Sequence, residues 1–443
     1  MKRALRVASH DEQGVTILVV ACSLAFVMIA LAALVIDVSA LFTARGDAKQ
    51  AADAAALAGA KVLANSGMTS DPTNATLQAN AVALATQVAT AVATKNTVGG
   101  RPLTTGEITV SFNTGALTFA TNPQITVTAR RTDLPTFFAR AWGTRIVPVG
   151  ATAVAEAVNP SAAGGTPAVP ISPHCVKPWI LPNMRPGGGT FFDVATGQIS
   201  APGLVGTSIT LKRACSGTTC SDPSMTAPPP ELTYYYGALT PPAATSLPTS
   251  CTLSSCNYEH NIAACSPQPI ACGVAGNASV VGANPCGTGR TLQTYRGTRC
   301  LIHSTGSGPG QGQDCISVSS PANCSASAST LDSQLFAGSE NPLVQNGLAN
   351  LGDPISNSDS LVTIPVYNSG PTSPTTGSNA TPVPVNVIGF IQGFITDVQS
   401  NGGPNAGKLT ITIVNLSGCG TTLSGPTIVG DGISPVPVRL IKQ

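Results

Sequence analysis

The chain has 443 residues, only 9% of them charged, and 22 Lys and Arg against 20 Asp and Glu leave a formal charge of +2. Average chains are about 25% charged; with no Lys/Arg cluster longer than a pair, this composition excludes a phosphate-neutralising surface, and no nucleic-acid partner is expected. Glycine and proline together make about 18% of the chain, turn-rich but below the ~25–30% of low-complexity sequence, which predicts a folded protein with long loops.

Residues 1–14 form a short leader carrying Lys2, Arg3 and Arg6. Residues 15–36, VTILVVACSLAFVMIALAALVI, contain no charge; as a helix rising ~1.5 Å per residue they extend about 33 Å, the thickness of a bilayer core, and are predicted to cross the membrane once. Basic residues before the span place the N-terminus in the cytoplasm and the bulk of the chain outside it, periplasmic or at the cell surface. A cleavable signal peptide ending at Val38-Ser39-Ala40 is the alternative. The apolar run exceeds the ~7–15 residues of a signal h-region, and helix-forming sequence continues past the supposed site, which favours an anchor.

From Asp37 to Ala64 the sequence is alanine-rich, with Gly46 and Gly59 as its weak points, and predicts that the membrane helix runs on as one long spine. Val38, Leu41, Ala48, Ala52, Ala55, Gly59 and Val62 fall on one stripe. Its very small members, Ala48, Ala52, Ala55 and Gly59, let another helix or a sheet approach closely. Periodicity leaves open whether that surface packs inside its own domain or against another protein.

The succession Glu12-Gln13-Gly14, an apolar span closed by Asp37, Arg45, and then Gln50-Ala51-Ala52-Asp53-Ala54-Ala55-Ala56-Leu57-Ala58-Gly59-Ala60 resembles the N-terminal region of the Flp pilus-assembly TadG-like family of bacterial tight-adherence systems. The resemblance covers about residues 12–62, with weaker similarity through Val158 and at Ile364–Tyr367 and Val387–Phe390. It implies a single-pass envelope protein, without a catalytic site, that assists assembly or anchoring of a surface filament beside other pilus-assembly or envelope proteins. Pilins carry a Glu at the fifth mature position; counting Val15 as first, that position is Val19, so neither prepilin processing nor polymerisation is implied. The D-x-S-x-S metal motif of relatives with a von Willebrand A domain is not present, so metal-dependent adhesion is not carried over.

Beyond the spine, Asp71-Pro72 is expected to open a second helix, Asp71 as cap, with Leu77, Ala81, Leu84, Val88 and Val92 on its apolar face and Gly99-Gly100 ending it. Alternation at Ile108, Val110 and Phe112, at Leu117 and Phe119 after an Asn113-Thr114-Gly115 turn, and at Ile125 and Val127 predicts an antiparallel meander. Pro135 to Trp142 reads as a short helix and Ile146 to Val158 as a strand. Residues 37–158 are thus expected to form an α+β domain, a helical spine on an antiparallel sheet. An uncharged linker at 159–166 leads to a cysteine-rich module at 167–330 and a C-terminal β region at 331–443. Strands there are expected at Leu361–Tyr367, Pro382–Phe394, Lys408–Leu416 and Val436–Ile441, with a loop at 368–380. The whole is an α+β chain whose second half is a disulfide-rich, loop-rich β module.

Of 13 cysteines, Cys22 lies in the apolar span, and twelve remain: Cys175, Cys215, Cys220, Cys251, Cys256, Cys265, Cys272, Cys286, Cys300, Cys315, Cys324 and Cys419. Such density suits an oxidising compartment, where these residues are disulfide candidates; the short paired spacings of zinc sites are missing, so no metal is expected. His174 beside Cys175, and Tyr258-Glu259-His260, raise a Cys/His nucleophile pair, which oxidation of the thiols would disable. No phosphate-cradling loop, nucleophile elbow or zincin motif occurs, so no catalytic residue, cofactor or small-molecule substrate is inferred. Tyr234-Tyr235-Tyr236 reads as a contact patch or as local packing. The alternative function is a secreted or surface-exposed disulfide-rich adhesin. Because twelve cysteines can form six bridges, alkylation of the denatured, unreduced protein is expected to label few of them; labelling of most would restore free-thiol or metal chemistry.

Overall fold

The computed structural model describes residues 11–113, 117, 121–158, 170–216, 219–220, 231–248, 250–281, 290–307, 310–316, 335–369, 381–399, 407–420, 427–429 and 434–442. Residues 1–10 of the leader, Thr114 and Gly115 of the expected turn, the expected linker, Phe119, Cys286, Cys324 and most of the 368–380 loop lie outside these residues.

Alanine is the strongest helix former, and nothing from Asp11 to Ala64 interrupts it: the span and the spine are one helix, α1 (Asp11–Ala64), of 54 residues. It stops where Ser66 donates its hydroxyl to the Leu63 carbonyl at 2.7 Å and Gly67 turns the chain at a φ of +81°. The second helix, α2 (Ala75–Lys95), is capped by Asn74 rather than Asp71: the Asn74 side chain accepts from the Thr76 and Leu77 amides at 3.1 and 3.2 Å. Pro72 instead lies in the turn that leads there. Gly99 and Gly100, both at positive φ, do not end α2 directly but form the tip of a small hairpin pairing Thr97–Val98 with Arg101–Pro102.

Three strands follow: β1 (Ile108–Phe112), β2 (Gln124–Pro135) and β3 (Ile146–Ala157), paired antiparallel in that order. The short helix expected from Pro135 is a single 3-10 turn at Ala139–Trp142, because β2 continues through Pro135 and leaves only the tip of the β2–β3 hairpin. α1 lies between α2 and this sheet. Alanines meet there from every side: Ala48, Ala52, Ala55 and Ala56 of α1, Ala85 and Ala89 of α2, Ala129 of β2, and Ala153 and Ala155 of β3 are all fully buried in one core. Methyl-sized side chains are what allow helix and sheet axes to come this close.

The remaining chain builds a barrel from β4 (Trp179–Pro182), β5 (Ser208–Arg213), β6 (Glu231–Gly237), β8 (Leu361–Tyr367), β10 (Val387–Val398) and β11 (Leu409–Gly418). The order is β6-β4-β8-β10-β11-β5, closed by parallel pairing of β5 with β6. Two short strands, β7 (Ala278–Val281) and β9 (Val383–Val385), extend the sheet from β6. Barrel strands thus come from both the cysteine-rich stretch and the C-terminal stretch, which share one core. β8 is buried at every residue, as expected of a strand covered on both faces. Two helices follow, α3 (Asn257–Ala263) and α4 (Arg290–Leu301); Tyr258 and Ile262 of α3 join the barrel's core, and Tyr258 receives a hydrogen bond from the Trp179 indole at 3.1 Å. All three tyrosines of β6 are buried, Tyr234 and Tyr236 in this core, with Tyr236 and Tyr258 edge to face at 4.8 Å, and Tyr235 on the opposite face against Tyr367; they are packing, not a contact patch.

One expectation about the C-terminus is corrected. The last strand, β12 (Val438–Lys442), does not close the barrel region; it crosses back to pair antiparallel with β3. β3 needs a partner along its second edge, and Val438 and Leu440 pack on the alanine core of α1, while Arg439 bonds Glu156 at 2.7 Å.

Spine and barrel join at a buried polar knot. Asn415 and Gln392, opposite each other on β11 and β10, are both fully buried. The Asn415 amide donates to Gln392 Oε1 at 2.6 Å and to the Ala64 carbonyl at the end of α1; its Oδ1 accepts from Thr69 and Ser70, each at 3.2 Å. Gln392 donates to Asn65 Oδ1 at 2.9 Å, and Ser70 exchanges bonds with the backbone of Leu416. Orphaning a buried amide costs about 1–3 kcal/mol, so Asn415→Ala is expected to lower stability by about 2–3 kcal/mol in urea unfolding. Adding Gln392→Ala should cost less than the sum of the two single changes.

Candidate functional site

The long helix α1 divides at Asp37. From Gly14 to Ile36 nearly every residue is exposed, including Ile17 at 69% and Phe26 at 68%, while from Ala44 onward the inner face of the same helix is core. Asp37 marks the boundary. Its carboxylate is 6% exposed and accepts backbone N–H bonds from Phe137 at 2.8 Å, from Phe138 at 3.0 and 3.2 Å, and from Ala139 at 2.6 Å. Burial by itself would raise this carboxyl. The three backbone donors outweigh it and hold the group below its ordinary 3.8. A carboxylate that closes the apolar run is thereby a latch between the helix and the tip of the β2–β3 hairpin.

Of the small-residue stripe, Ala48, Ala52, Ala55 and Gly59 all lie in the interior of the chain. A Cβ at Gly59 would overlap Ile125 Cδ1 and sit 3.4 Å from the Ala89 methyl, so this glycine makes room where α2 and the sheet both press on α1. The stripe is covered by the chain's own elements and presents no free face there. Val38, at its start, is 39% exposed.

Cysteines pin the barrel's outer face. Cys175 bonds Cys265, Cys251 bonds Cys300, and Cys272 bonds Cys419, the last closing a separation of 147 residues. Cys256 and Cys315 are also oxidised. The backbones of Cys215 and Cys220 stand opposite each other in a two-strand hairpin. Cys22 is a free, exposed thiol within the apolar half of α1.

A cavity of about 260 Å³ beside the first two bridges is lined by Lys177, His303 and Asp359 among others. Burial pushes the Lys177 amine down to about 7, yet both of its bonds run to backbone: the carbonyls of Ile262 and Ala264, at 2.8 and 3.1 Å. It caps the C-terminal end of α3. His303 Nε2 pairs with Asp359 at 2.8 Å, and His260 Nε2 with the Ser254 carbonyl at 2.6 Å. Cys175, the neighbour of His174, is tied into its disulfide and has no thiolate to offer. Among the described residues no group of three or more His, Cys, Asp or Glu side chains is placed to hold a metal ion.

With this geometry, residues 14–62 match the family described as putative Flp pilus-assembly TadE/G-like. The match runs from the first residue before the apolar span to the last turns of α1. No curated protein and no solved structure matches the chain.

The Asp37 latch is complete at neutral pH, and because the carboxyl is held below its ordinary value it is lost only as the pH falls through that lowered value. At pH 7, Asp37→Ala is expected to speed amide hydrogen exchange at Phe137, Phe138 and Ala139, and Asp37→Asn to do so less; unchanged exchange in both would mean that the loop is held by other contacts.

Proposed function

We propose that this chain is a membrane-anchored structural component that assists assembly or anchoring of a tight-adherence, Flp-type pilus in the bacterial envelope. The observation that carries the reading is the continuity of α1: the exposed apolar half, with a mean hydropathy of 2.9 over its best window, passes without a break into the protein's own core. A signal peptide has no use for such a joint, because cleavage near Ala40 would cut a helix whose next turns hold the sheet. The family match to residues 14–62 supplies the pilus-assembly context.

In this reading Val15–Ile36 crosses the cytoplasmic membrane, the basic leader stays in the cytoplasm, and the body from Asp37 onward stands outside it, where an oxidising compartment maintains the bridges. The role is structural rather than catalytic: Cys175, the candidate nucleophile beside His174, is tied into a disulfide, and the low-pKa lysine is spent on two carbonyls. Since the small-residue stripe serves the internal core, contacts with other assembly proteins fall to the exposed span and to the barrel surface.

A reporter enzyme active only outside the cytoplasm, fused after Gln443, is expected to be active in an intact, membrane-bound chain. An inactive but intact fusion would refute the orientation. A mature chain found free in the medium, beginning near Leu41, would instead favour the secreted adhesin.

A further inference from the structure

The tip of the β2–β3 hairpin carries two large apolar side chains that the described residues leave exposed: Phe137 is 66% exposed and Phe138 40% exposed, and Ile146, where the hairpin re-enters β3, is 58% exposed. This tip is built to hold its shape. The Thr136 amide bonds the Arg145 carbonyl at 3.2 Å, the Thr144 amide bonds the Ala139 carbonyl at 3.2 Å, and Gly143 takes the left-handed turn at a φ of +95°. Arg140 and Arg145 flank the phenylalanines and are both exposed.

Its height along α1 is fixed by the Asp37 latch. Asp37 is the first residue after the apolar span, and the amides of residues 137–139 are bonded to its carboxylate, so the tip lies level with the end of the span. A second observation carries it lower. Ala33 is the one described residue between Gly14 and Ile36 that is buried, at 4% exposure, with Ala30 one turn further down half-buried. Both stand on the helix face that continues through Asp37, at steps of three and four, and the 3-10 turn Ala139–Trp142 is in contact with α1. Protein therefore lies against the helix about one turn inside the apolar span.

We propose that the hairpin tip, residues 136–146, is a second membrane contact of the body: Phe137, Phe138 and Ile146 enter the headgroup and upper acyl region of the same bilayer that Val15–Ile36 crosses, and Arg140 and Arg145 meet lipid phosphates. Aromatic rings and arginines are the side chains favoured at that depth, the first for their flat apolar bodies and the second for reaching the phosphate layer. The occupant is the phospholipid surface, because the apolar patch is continuous with the apolar span and at the level where that span leaves the hydrocarbon. Two contacts, one helix and one rigid hairpin, would stop the body from swivelling about its anchor. This inference rests on the reading of Val15–Ile36 as a span.

The test uses the full chain in vesicles of phosphatidylcholine and phosphatidylglycerol whose acyl chains are brominated just below the headgroup. Trp142→Phe leaves Trp179, buried in the barrel, as the one background tryptophan of the sequence. Into this chain a reporter is placed by Phe137→Trp, with Val35→Trp as the reference inside the span and Val194→Trp, exposed at 50% on the barrel, as the reference in water. Phe137→Trp is expected to emit at shorter wavelength than Val194→Trp and to lose intensity to bromine as Val35→Trp does. Quenching of Val35→Trp alone would keep the span and overturn the tip contact. A blue-shifted but unquenched Phe137→Trp would mean that a protein surface, another component or a second copy, covers the tip, and would also overturn it. If Val35→Trp is itself unquenched, the span fails and this inference fails with it.

Discussion

The packed half of α1 must come very close to everything it touches, and that closeness governs the rest of the molecule. Between α2 and the sheet, α1 offers little more than methyl groups, and its neighbours answer with methyl groups of their own: Ala85 and Ala89 on one side, Ala129, Ala153 and Ala155 on the other. At Gly59 even a methyl group would overlap Ile125. Each alanine contributes little burial energy by itself, yet dispersion rises steeply as surfaces come into contact, and the interlocked backbones leave no slack through which the helix could tilt. Orientation of the apolar half is thereby set by the packing of the half below it.

Each end of the packed segment is secured by a polar device. At the upper end Asp37 gathers three backbone donors from the β2–β3 tip, and at the lower end Ala64 and Asn65 enter the Gln392–Asn415 knot. Buried polar groups of this kind are costly unless satisfied, so they act as position markers: only one register of helix against hairpin, and of helix against barrel, pays back their desolvation. β12 adds a third tie, carrying the end of the described chain back to β3. The barrel is consequently fastened to the spine through its C-terminal strands, by the Gln392–Asn415 knot and by the return of β12 to β3.

The disulfides act on a different part of the problem. The stretch that holds most of the cysteines contributes only short helices and strands, and its loops are joined across the barrel face by bridges such as Cys272–Cys419 and Cys251–Cys300. Cross-links that span long separations limit the unfolded chain more than the folded one, and suit a protein that works outside the cell's repair machinery. A spine without a hinge and a barrel with covalent clamps both resist deformation of the body.

Much of this was legible in the residues themselves. An uncharged run of bilayer length, an alanine-rich continuation, alternation in the strands and the cysteine load are all local patterns, and each follows from one-dimensional physics: hydropathy, helix propensity and pleat. The resemblance to the pilus-assembly family likewise rests on one contiguous stretch, residues 14–62. Other features depend on which distant segments meet, and no local pattern encodes that. Asn74 takes the cap from Asp71 because the Pro72 turn displaces the helix start; Val438–Lys442 goes to β3 because that edge and the alanine core were open to it. Periodicity identified a stripe of small residues, but only the tertiary structure decided what covers it, since a helix face looks the same in sequence whether its partner is its own sheet or another molecule. The same holds for Asp37, whose charge ends the span in any reading, but whose use as a latch exists only because a hairpin a hundred residues later brings three amides to it.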